Sequence, residues 1–256
     1  MAKEKYKESN GISGKPVRRS LHFFWLIDWS GSMAGERIQK VNYAIRTVLP
    51  EIRRIEESDR INIFMRAIKF GTNAMWHIGP DPVPVNQFSW VDMDASGGST
   101  STSQAINLLT SELDINKIGK RNVPPVVILL SDGMTTDEPE SIYYDSIKNL
   151  DKSPWGKKAV RLSIGIGDQT EDYDKEQLDA FISPYLKNQG VETFAASDSR
   201  KLIHYIRMAS TVATQASIHN DGKNDSNDAP VIIDTNKFNF DDDGPDFSKL
   251  GSSDVF

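Results

Sequence analysis

The chain of 256 residues contains no cysteine, and this absence excludes several kinds of chemistry. Without thiols there can be no disulfide bridge, no thiolate metal site and no cysteine nucleophile. Disulfides are rare in the reducing cytosol, and the composition agrees with that compartment. We therefore expect a cytoplasmic protein.

The sequence also lacks a long apolar segment. No stretch approaches the roughly 20 apolar residues that a membrane-spanning helix needs. The first twenty residues, MAKEKYKESNGISGKPVRRS, are basic and polar, without the apolar stretch of a secretory signal. We therefore expect no membrane partner and no signal peptide.

Positive charge is in deficit, because 30 Lys and Arg stand against 36 Asp and Glu and the formal net charge is −6. Nucleic-acid binding depends on a concentrated basic surface that contacts phosphates, so we do not expect nucleic acid as a partner. Histidine is scarce as well. The four histidines do not have the paired spacing of a zinc site, and we expect core or surface roles for His22, His77, His204 and His219.

Apolar residues on consecutive positions indicate strands that are buried on both faces of a sheet. Such runs predict strands at 21–27, 61–70, 124–133 and 159–167, with a shorter one at 191–195. Apolar residues at helical spacing predict helices at about 36–57, 102–113, 141–150, 175–186 and 199–216. This alternation predicts an α/β fold, in which helices flank a doubly wound, mostly parallel sheet in a single domain over residues 20–216.

The remaining segments differ in composition. Residues 71–91 contain three prolines, which predict an irregular connection with a short strand at 88–91. Residues 1–19 are predicted to be a flexible basic arm. Residues 217–256 are acidic and rich in Asn and Asp, so we expect a flexible tail that buries too little apolar surface to fold.

The first predicted strand has an unusually polar ending. In the run FFWLIDWSGSM the apolar residues stop at Asp28, and Ser30 and Ser32 follow at alternate positions. A turn out of the strand can aim such alternate side chains at one point, while Gly31 lets the backbone approach closely. The spacing therefore predicts a cluster of oxygen ligands at this strand end.

Two further oxygen donors are predicted to reach the same edge of the sheet. The strand at 124–133 ends with Asp132, and the loop SGGSTSTS (96–103) can bring Thr100 there. Ligands of parallel sheets bind at the carboxyl ends of strands, where the strand order reverses. A set of two Asp, two Ser and one Thr suits Mg²⁺ better than zinc or copper, and Mn²⁺ and Ca²⁺ are the alternatives.

These motifs together resemble the von Willebrand factor A domain family. Asp28-Trp29-Ser30-Gly31-Ser32-Met33 matches its DxSGSM motif, Gly98-Ser99-Thr100 resembles its threonine loop, and Ser131-Asp132-Gly133 resembles its [ST]DG motif. The resemblance implies a metal-ion-dependent adhesion site, in which an acidic residue of a partner protein completes the coordination. The implied ligands are Asp28, Ser30, Ser32, Thr100 and Asp132.

Within that family, FFWLIDWSGSMAGERIQKVNYAI is most similar to bacterial cytoplasmic TerY-like proteins. Those proteins are associated with tellurium resistance and stress systems, together with protein kinases and metal-dependent 2C-type phosphatases. The resemblance therefore implies a kinase or phosphatase of the same system as the partner. Trp29 and the sequence after Gly133 depart from the usual pattern.

Three apolar residues border the metal loops and are predicted to form a partner-binding rim around the ion: Trp29, Met33 and Met134. For the two methionines, packing in the protein is the alternative. The leading functional hypothesis is a non-catalytic binding module. The rival is a Mg²⁺-dependent phosphoryl-transfer or hydrolytic enzyme, but Ser30 stands where haloacid-dehalogenase-like phosphatases carry a second aspartate, and a hydroxyl cannot replace that acid/base near neutral pH.

Overall fold

The structure is a computed structural model that describes residues 18–95, 98–120, 122–133, 135–167 and 173–219. Within these residues the strands are β1 (Ser20–Asp28), β2 (Asn62–Phe70), β3 (Ala74–Pro84), β4 (Val126–Ser131), β5 (Val160–Ile166) and β6 (Phe194–Ala196). The helices are α1 (Glu36–Asp59), α2 (Thr102–Glu112), α3 (Ile115–Ile118), α4 (Ser141–Lys152), α5 (Lys175–Phe181), α6 (Pro184–Lys187) and α7 (Ser199–His219).

The strands form one sheet in the order β3-β2-β1-β4-β5-β6. All neighbouring pairs are parallel except β2 and β3, which are antiparallel. The chain builds outward from β1 through β2 and β3, and then crosses back to place β4 on the other side of β1. The strand order therefore reverses between β1 and β4, and the predicted doubly wound α/β fold is confirmed.

The consecutive apolar residues of β1 supply both faces of the sheet. Phe23, Trp25 and Ile27 belong to a core cluster with α1 and α7, whereas Phe24 and Leu26 belong to a second cluster with α2 and α4. Side chains alternate between the faces of a strand, so a strand covered on both sides must be apolar at every position. This double burial holds the end of β1 rigidly in the centre of the sheet.

The segment at residues 71–91 differs from its prediction. Residues Ala74–Pro84 form the edge strand β3 despite their prolines, and residues 88–91 form no strand. Proline is tolerated on an edge strand because one side of that strand has no ladder to complete. Phe88 and Trp90 are buried in the core instead, and the Trp90 indole donates to Asn42 Oδ1 at 3.0 Å.

Other boundaries also differ from the sequence prediction. The helix expected over 175–186 is divided into α5 and α6, because Pro184 cannot continue a helix but is well suited to begin one. The last strand is β6 at Phe194–Ala196 rather than at 191–195. Helix α7 runs to His219, so the first three residues of the predicted tail are helical.

Several predicted features lie outside the described residues. They include residues 1–17 of the predicted arm, residues 220–256 of the predicted tail, and Met134. Among the helices that are described, none is both long and apolar enough to cross a membrane.

Candidate metal centre

Asp28 occupies the centre of the candidate site. It is the last residue of β1 and its exposed fraction is 0%. Its Oδ1 accepts a hydrogen bond from the backbone N–H of Ser30 at 2.8 Å, and its Oδ2 accepts one from the Ser131 hydroxyl at 2.7 Å. The carboxylate is therefore fixed in orientation by contacts to both neighbouring loops.

The turn after β1 brings two serine hydroxyls together. The backbone leaves the sheet at Trp29, whose N–H donates to the Phe70 carbonyl at 2.9 Å, and then makes a single 3₁₀ turn at Gly31–Met33. This turn places Ser30 Oγ and Ser32 Oγ 3.0 Å apart. The two serine hydroxyls of the predicted cluster therefore lie together at the end of β1.

The loop after β4 carries Asp132, which is close enough for its charge to raise the pKa of Asp28. Ser131 Oγ accepts a hydrogen bond from the Gly133 N–H at 2.9 Å while it donates to Asp28. Gly133 has a φ of 90°, and an added Cβ would lie 2.8 Å from the Asp174 backbone nitrogen. Only glycine fits this tight turn, which explains why Gly133 follows Asp132 at this strand end.

The backbone of Thr100 is hydrogen-bonded to the loop that follows Asp132. Its N–H donates to Thr136 Oγ1 at 2.8 Å, and its carbonyl accepts from the Thr136 N–H at 2.8 Å. Asp137 accepts hydrogen bonds from the Ser101 hydroxyl at 2.7 Å and from the Ser103 N–H at 2.8 Å, which fixes the start of α2. These contacts join the threonine loop to the Asp132 loop.

The electrostatics of the site favour a bound cation. Burial raises the pKa of Asp28 from 3.8 to about 6, and the nearby charge of Asp132 acts in the same direction, although hydrogen bonds from Ser131 and Ser30 oppose the rise. A cation bound by the two carboxylates would offset both the burial of the Asp28 charge and its repulsion by Asp132. The five predicted ligands therefore suit a hard divalent ion that accepts hydroxyl oxygens.

Within the described parts of the chain, no cluster of three or more His, Asp or Glu residues is arranged to hold a metal. A metal at this edge would therefore depend on the hydroxyls of Ser30, Ser32 and Thr100 as well as on the two aspartates. Neutral ligands leave much of the ion's charge available to a further anionic ligand.

Two residues of the predicted rim, Trp29 and Met33, differ in exposure. Trp29 is partly exposed beside the site, and its ring lies 3.8 Å from the Lys69 ammonium, within cation–π distance. Met33 has an exposed fraction of 0% and belongs to the core, so its prediction as a partner-contacting residue is wrong. Its burial anchors the serine turn instead.

Arg37 is a feature of the site that the sequence motifs did not indicate. From the first turn of α1 its Nη1 donates to Asp132 Oδ2 at 3.0 Å and to the Ser32 carbonyl at 3.4 Å. The exposed fractions of the Arg37 and Asp132 side chains are 31% and 6%. The only sequence signal was a basic residue five positions after Ser32, at the start of a helix.

The chain is thus an α/β protein whose candidate metal centre lies at the edge of the sheet where the strand order reverses. The sequence model of the von Willebrand factor type A domain matches residues 24–206, and the chain belongs to this family. Domains of this family mediate interactions between proteins and hold a divalent metal at an adhesion site.

Several solved structures share the fold at low sequence identity. A von Willebrand factor type A protein from Catenulispora acidiphila is 15% identical, with a TM-score of 0.53 over 76% of this chain and 43% of its own. A second is the ArnB paralog VWA2 from Sulfolobus acidocaldarius, which is 19% identical with a TM-score of 0.50 over 74% of this chain and 44% of its own.

The third is proximal thread matrix protein 1 from the mussel byssus, in a structure described as having a zinc-occupied adhesion-site motif. It is 16% identical, with a TM-score of 0.51 over 78% of this chain and 46% of its own. The present chain thus spans less than half the length of each of these three proteins.

Proposed function

We propose that this chain is a non-catalytic protein-interaction module that binds Mg²⁺ and uses the ion to capture a carboxylate of a partner protein. The observation that carries the proposal is the buried Asp28 carboxylate, held by Ser131 beside a converging pair of serine hydroxyls. Asp132 and the Thr100 loop reach the same edge of the sheet. These residues are the proposed ligands of the ion.

The donor set supports Mg²⁺ as the metal. All five proposed ligands offer oxygen, and few of them are charged, which suits an ion that retains water and accepts ligands from a partner. Mn²⁺ has similar ligand preferences and is a suitable experimental substitute. The zinc described for the mussel protein belongs to that protein, and a zinc titration is therefore a necessary comparison.

The absence of catalysis is also part of the proposal. Turnover by an aspartate nucleophile would need an acid or base close to Asp28, but the residue two positions later is Ser30, whose hydroxyl contacts that of Ser32. The other carboxylate near Asp28 is that of Asp132, which this proposal assigns to the metal. His22 stacks on Phe64 near the opposite end of β1, and a ring nitrogen of His77 contacts the Val91 carbonyl. Both histidines are engaged elsewhere.

We further propose a place in a bacterial stress, tellurium-resistance or phosphorylation-linked signalling or defence system, with a protein kinase or 2C-type phosphatase as partner. The support is the sequence similarity to TerY-like proteins, which includes a Gly-Glu pair and a Val-Asn pair after the metal motif. Asn42 of that second pair is buried and bonds Trp90 and Met93, so its role is in packing rather than in partner choice.

Affinity purification with quantitative mass spectrometry tests the proposed function. Wild type should retain a partner that is lost on chelation and in Asp28→Ala. The control Asp145→Ala removes an exposed carboxylate that pairs with Lys148 on α4, and it should retain the partner. Thermal melting must show that both variants are folded. Equal recovery of every retained protein by wild type and Asp28→Ala would contradict the proposal.

A panel of phosphatase and ATPase substrates tests the enzymatic alternative on the same preparations. The proposal predicts no metal-dependent turnover. Metal-dependent turnover by wild type that disappears in Asp28→Asn would favour the enzyme instead.

A further inference from the structure

Arg37 contacts the candidate metal centre at an unusual place for a cation. Its guanidinium donates to Oδ2 of Asp132, a proposed metal ligand, at 3.0 Å. A divalent ion in the site and Arg37 would therefore compete for the same carboxylate charge. Because like charges repel, Arg37 would lower the affinity of the site for the metal.

The same charge has the opposite effect on an anionic partner. Asp28 and Asp132 together balance the two charges of a divalent ion, and Arg37 adds a further positive charge beside them. A carboxylate that approaches the loaded site meets the ion and the guanidinium together. A carboxylate has two oxygens and a guanidinium presents several N–H donors in a plane, so one oxygen can bind the metal while the other accepts from Arg37.

The surface next to Arg37 has room for the rest of the partner residue. A cleft of about 240 Å³ lies directly beside the site and includes Ser32 and Arg37 in its wall. The rest of its lining combines apolar side chains with charged ones. The apolar residues are Ala34, Ile166, Ala196 and Leu202, and the charged residues are Glu36, Lys40 and Asp198. A cleft of this size suits one or two side chains rather than a large cofactor.

We propose that Arg37 is a partner-binding residue that holds the captured carboxylate jointly with the metal. Its charge weakens the binding of the metal and strengthens the binding of the carboxylate. This inference rests on the proposed function, because it requires a metal at Asp28 and Asp132. The ligand class is an acidic side chain, Asp or Glu, of a protein segment. The distinctive consequence is that loss of Arg37 changes the two affinities in opposite directions.

The test uses the full chain, with Mn²⁺ as the metal and a capped single aspartate as the carboxylate. Water-proton relaxation reports both events, because bound Mn²⁺ relaxes its coordinated water and a carboxylate displaces that water. In Arg37→Gln we expect Mn²⁺ to bind about fivefold more tightly. At saturating Mn²⁺ we expect the capped aspartate to bind about tenfold more weakly. Capped asparagine should displace no water from wild type.

Arg46→Gln is the matched control, because Arg46 lies on the same helix and forms an exposed ion pair with Asp92. It should match wild type in both titrations. Arg37→Lys keeps the charge without the planar fork, so its Mn²⁺ affinity should stay near that of wild type while its affinity for capped aspartate is intermediate. Arg37→Lys decides the question if Arg37→Gln does not fold.

The outcomes separate this inference from the proposed function. If wild type binds Mn²⁺ and capped aspartate but both Arg37 variants match it, the role of Arg37 is overturned and the proposed function stands. If wild type binds no Mn²⁺, or if capped aspartate does not bind at saturating Mn²⁺, the proposed function fails and the inference fails with it.

Discussion

Asp28 and Ser131 lie 103 residues apart in the sequence, and the serine hydroxyl donates a hydrogen bond of 2.7 Å to the buried aspartate carboxylate. This contact joins the ends of β1 and β4 at the point where the strand order reverses. It also orients Asp28 before any metal binds. The serine of the Ser-Asp-Gly sequence thus supports the candidate metal centre, while the neighbouring Asp132 is a proposed ligand.

Substitution of Ser131 should therefore destabilise the metal-free protein. In Ser131→Ala the buried Asp28 carboxylate loses a donor and the Gly133 N–H loses its acceptor, which costs about 1 to 3 kcal/mol. Urea unfolding at neutral pH in the presence of a chelator measures this cost. Ser111→Ala, which removes an exposed helix hydroxyl bonded to the Leu108 carbonyl, should cost much less. Equal stability of both variants would show that the contact is unimportant.

Asp28→Asn should remove a pH dependence from the stability of the metal-free protein. The pKa of Asp28 is higher in the folded state, about 6, than the ordinary value of 3.8. The stability that this group contributes is therefore complete below about pH 4 and is lost as pH rises through about 6, a change of about 3 kcal/mol. Asparagine does not titrate and avoids this loss.

The same variant should no longer respond to metal. Mg²⁺ should raise the free energy of unfolding of wild type at neutral pH, since it binds the folded state, and should leave Asp28→Asn unchanged. Urea unfolding across pH, with and without Mg²⁺, measures both effects. If the free energies of unfolding of wild type and variant change in parallel with pH, Asp28 does not have a raised pKa in the folded state.

His22 should titrate far below its ordinary range. Burial lowers its pKa from 6.5 to about 4, the charge of Arg66 acts in the same direction, and Glu112 opposes them. The neutral ring therefore stabilises the fold above about pH 6.5, and about 3 kcal/mol is lost as pH falls to about 4. This trend is opposite to that of Asp28, so it should be clearest in Asp28→Asn. A His22 ring that titrates near pH 6.5 by NMR would be contrary to expectation.

The position of Thr100 should depend on Gly98. Gly98 has a φ of 101°, and an added Cβ would lie 2.3 Å from Thr72 Oγ1. Gly98→Ala should therefore displace the threonine loop and weaken Mn²⁺ binding, by about tenfold if one ligand is lost. Gly190→Ala is the control, because Gly190 also has a positive φ of 82° but has open space around its Cβ. Calorimetric titration of both with Mn²⁺ makes the comparison.

Much of the fold could be predicted because one physical rule determines it. A strand covered on both faces must be apolar throughout, and the central strands follow this rule closely. The edge strand β3 does not, since one side of it faces no neighbour and proline is tolerated there. Its sequence therefore indicates a loop as readily as a strand.

The candidate site could also be predicted only in part. The local spacing of Asp28, Ser30 and Ser32 predicts convergence, and the structure shows it for the two hydroxyls. The contact between Arg37 and Asp132 joins residues 95 positions apart, and the local pattern contains no information about it. Met33 is a third case. An apolar residue next to a site can lie either on the exposed rim or in the core, and the tertiary packing determines which.

The central claim is that residues from three separate loops hold one divalent ion. Thr100 gives the sharpest test, since Thr100→Val keeps the shape of the side chain and removes only the hydroxyl. Thr110→Val is the control, because the Thr110 hydroxyl bonds the Ile106 carbonyl within α2, away from the site. Counting free Mn²⁺ by electron paramagnetic resonance should show one ion bound per chain in wild type and in Thr110→Val, with affinity at least about tenfold weaker in Thr100→Val. A wild-type chain that binds no Mn²⁺, or a Thr100→Val variant that binds it as tightly as wild type, would contradict the claim.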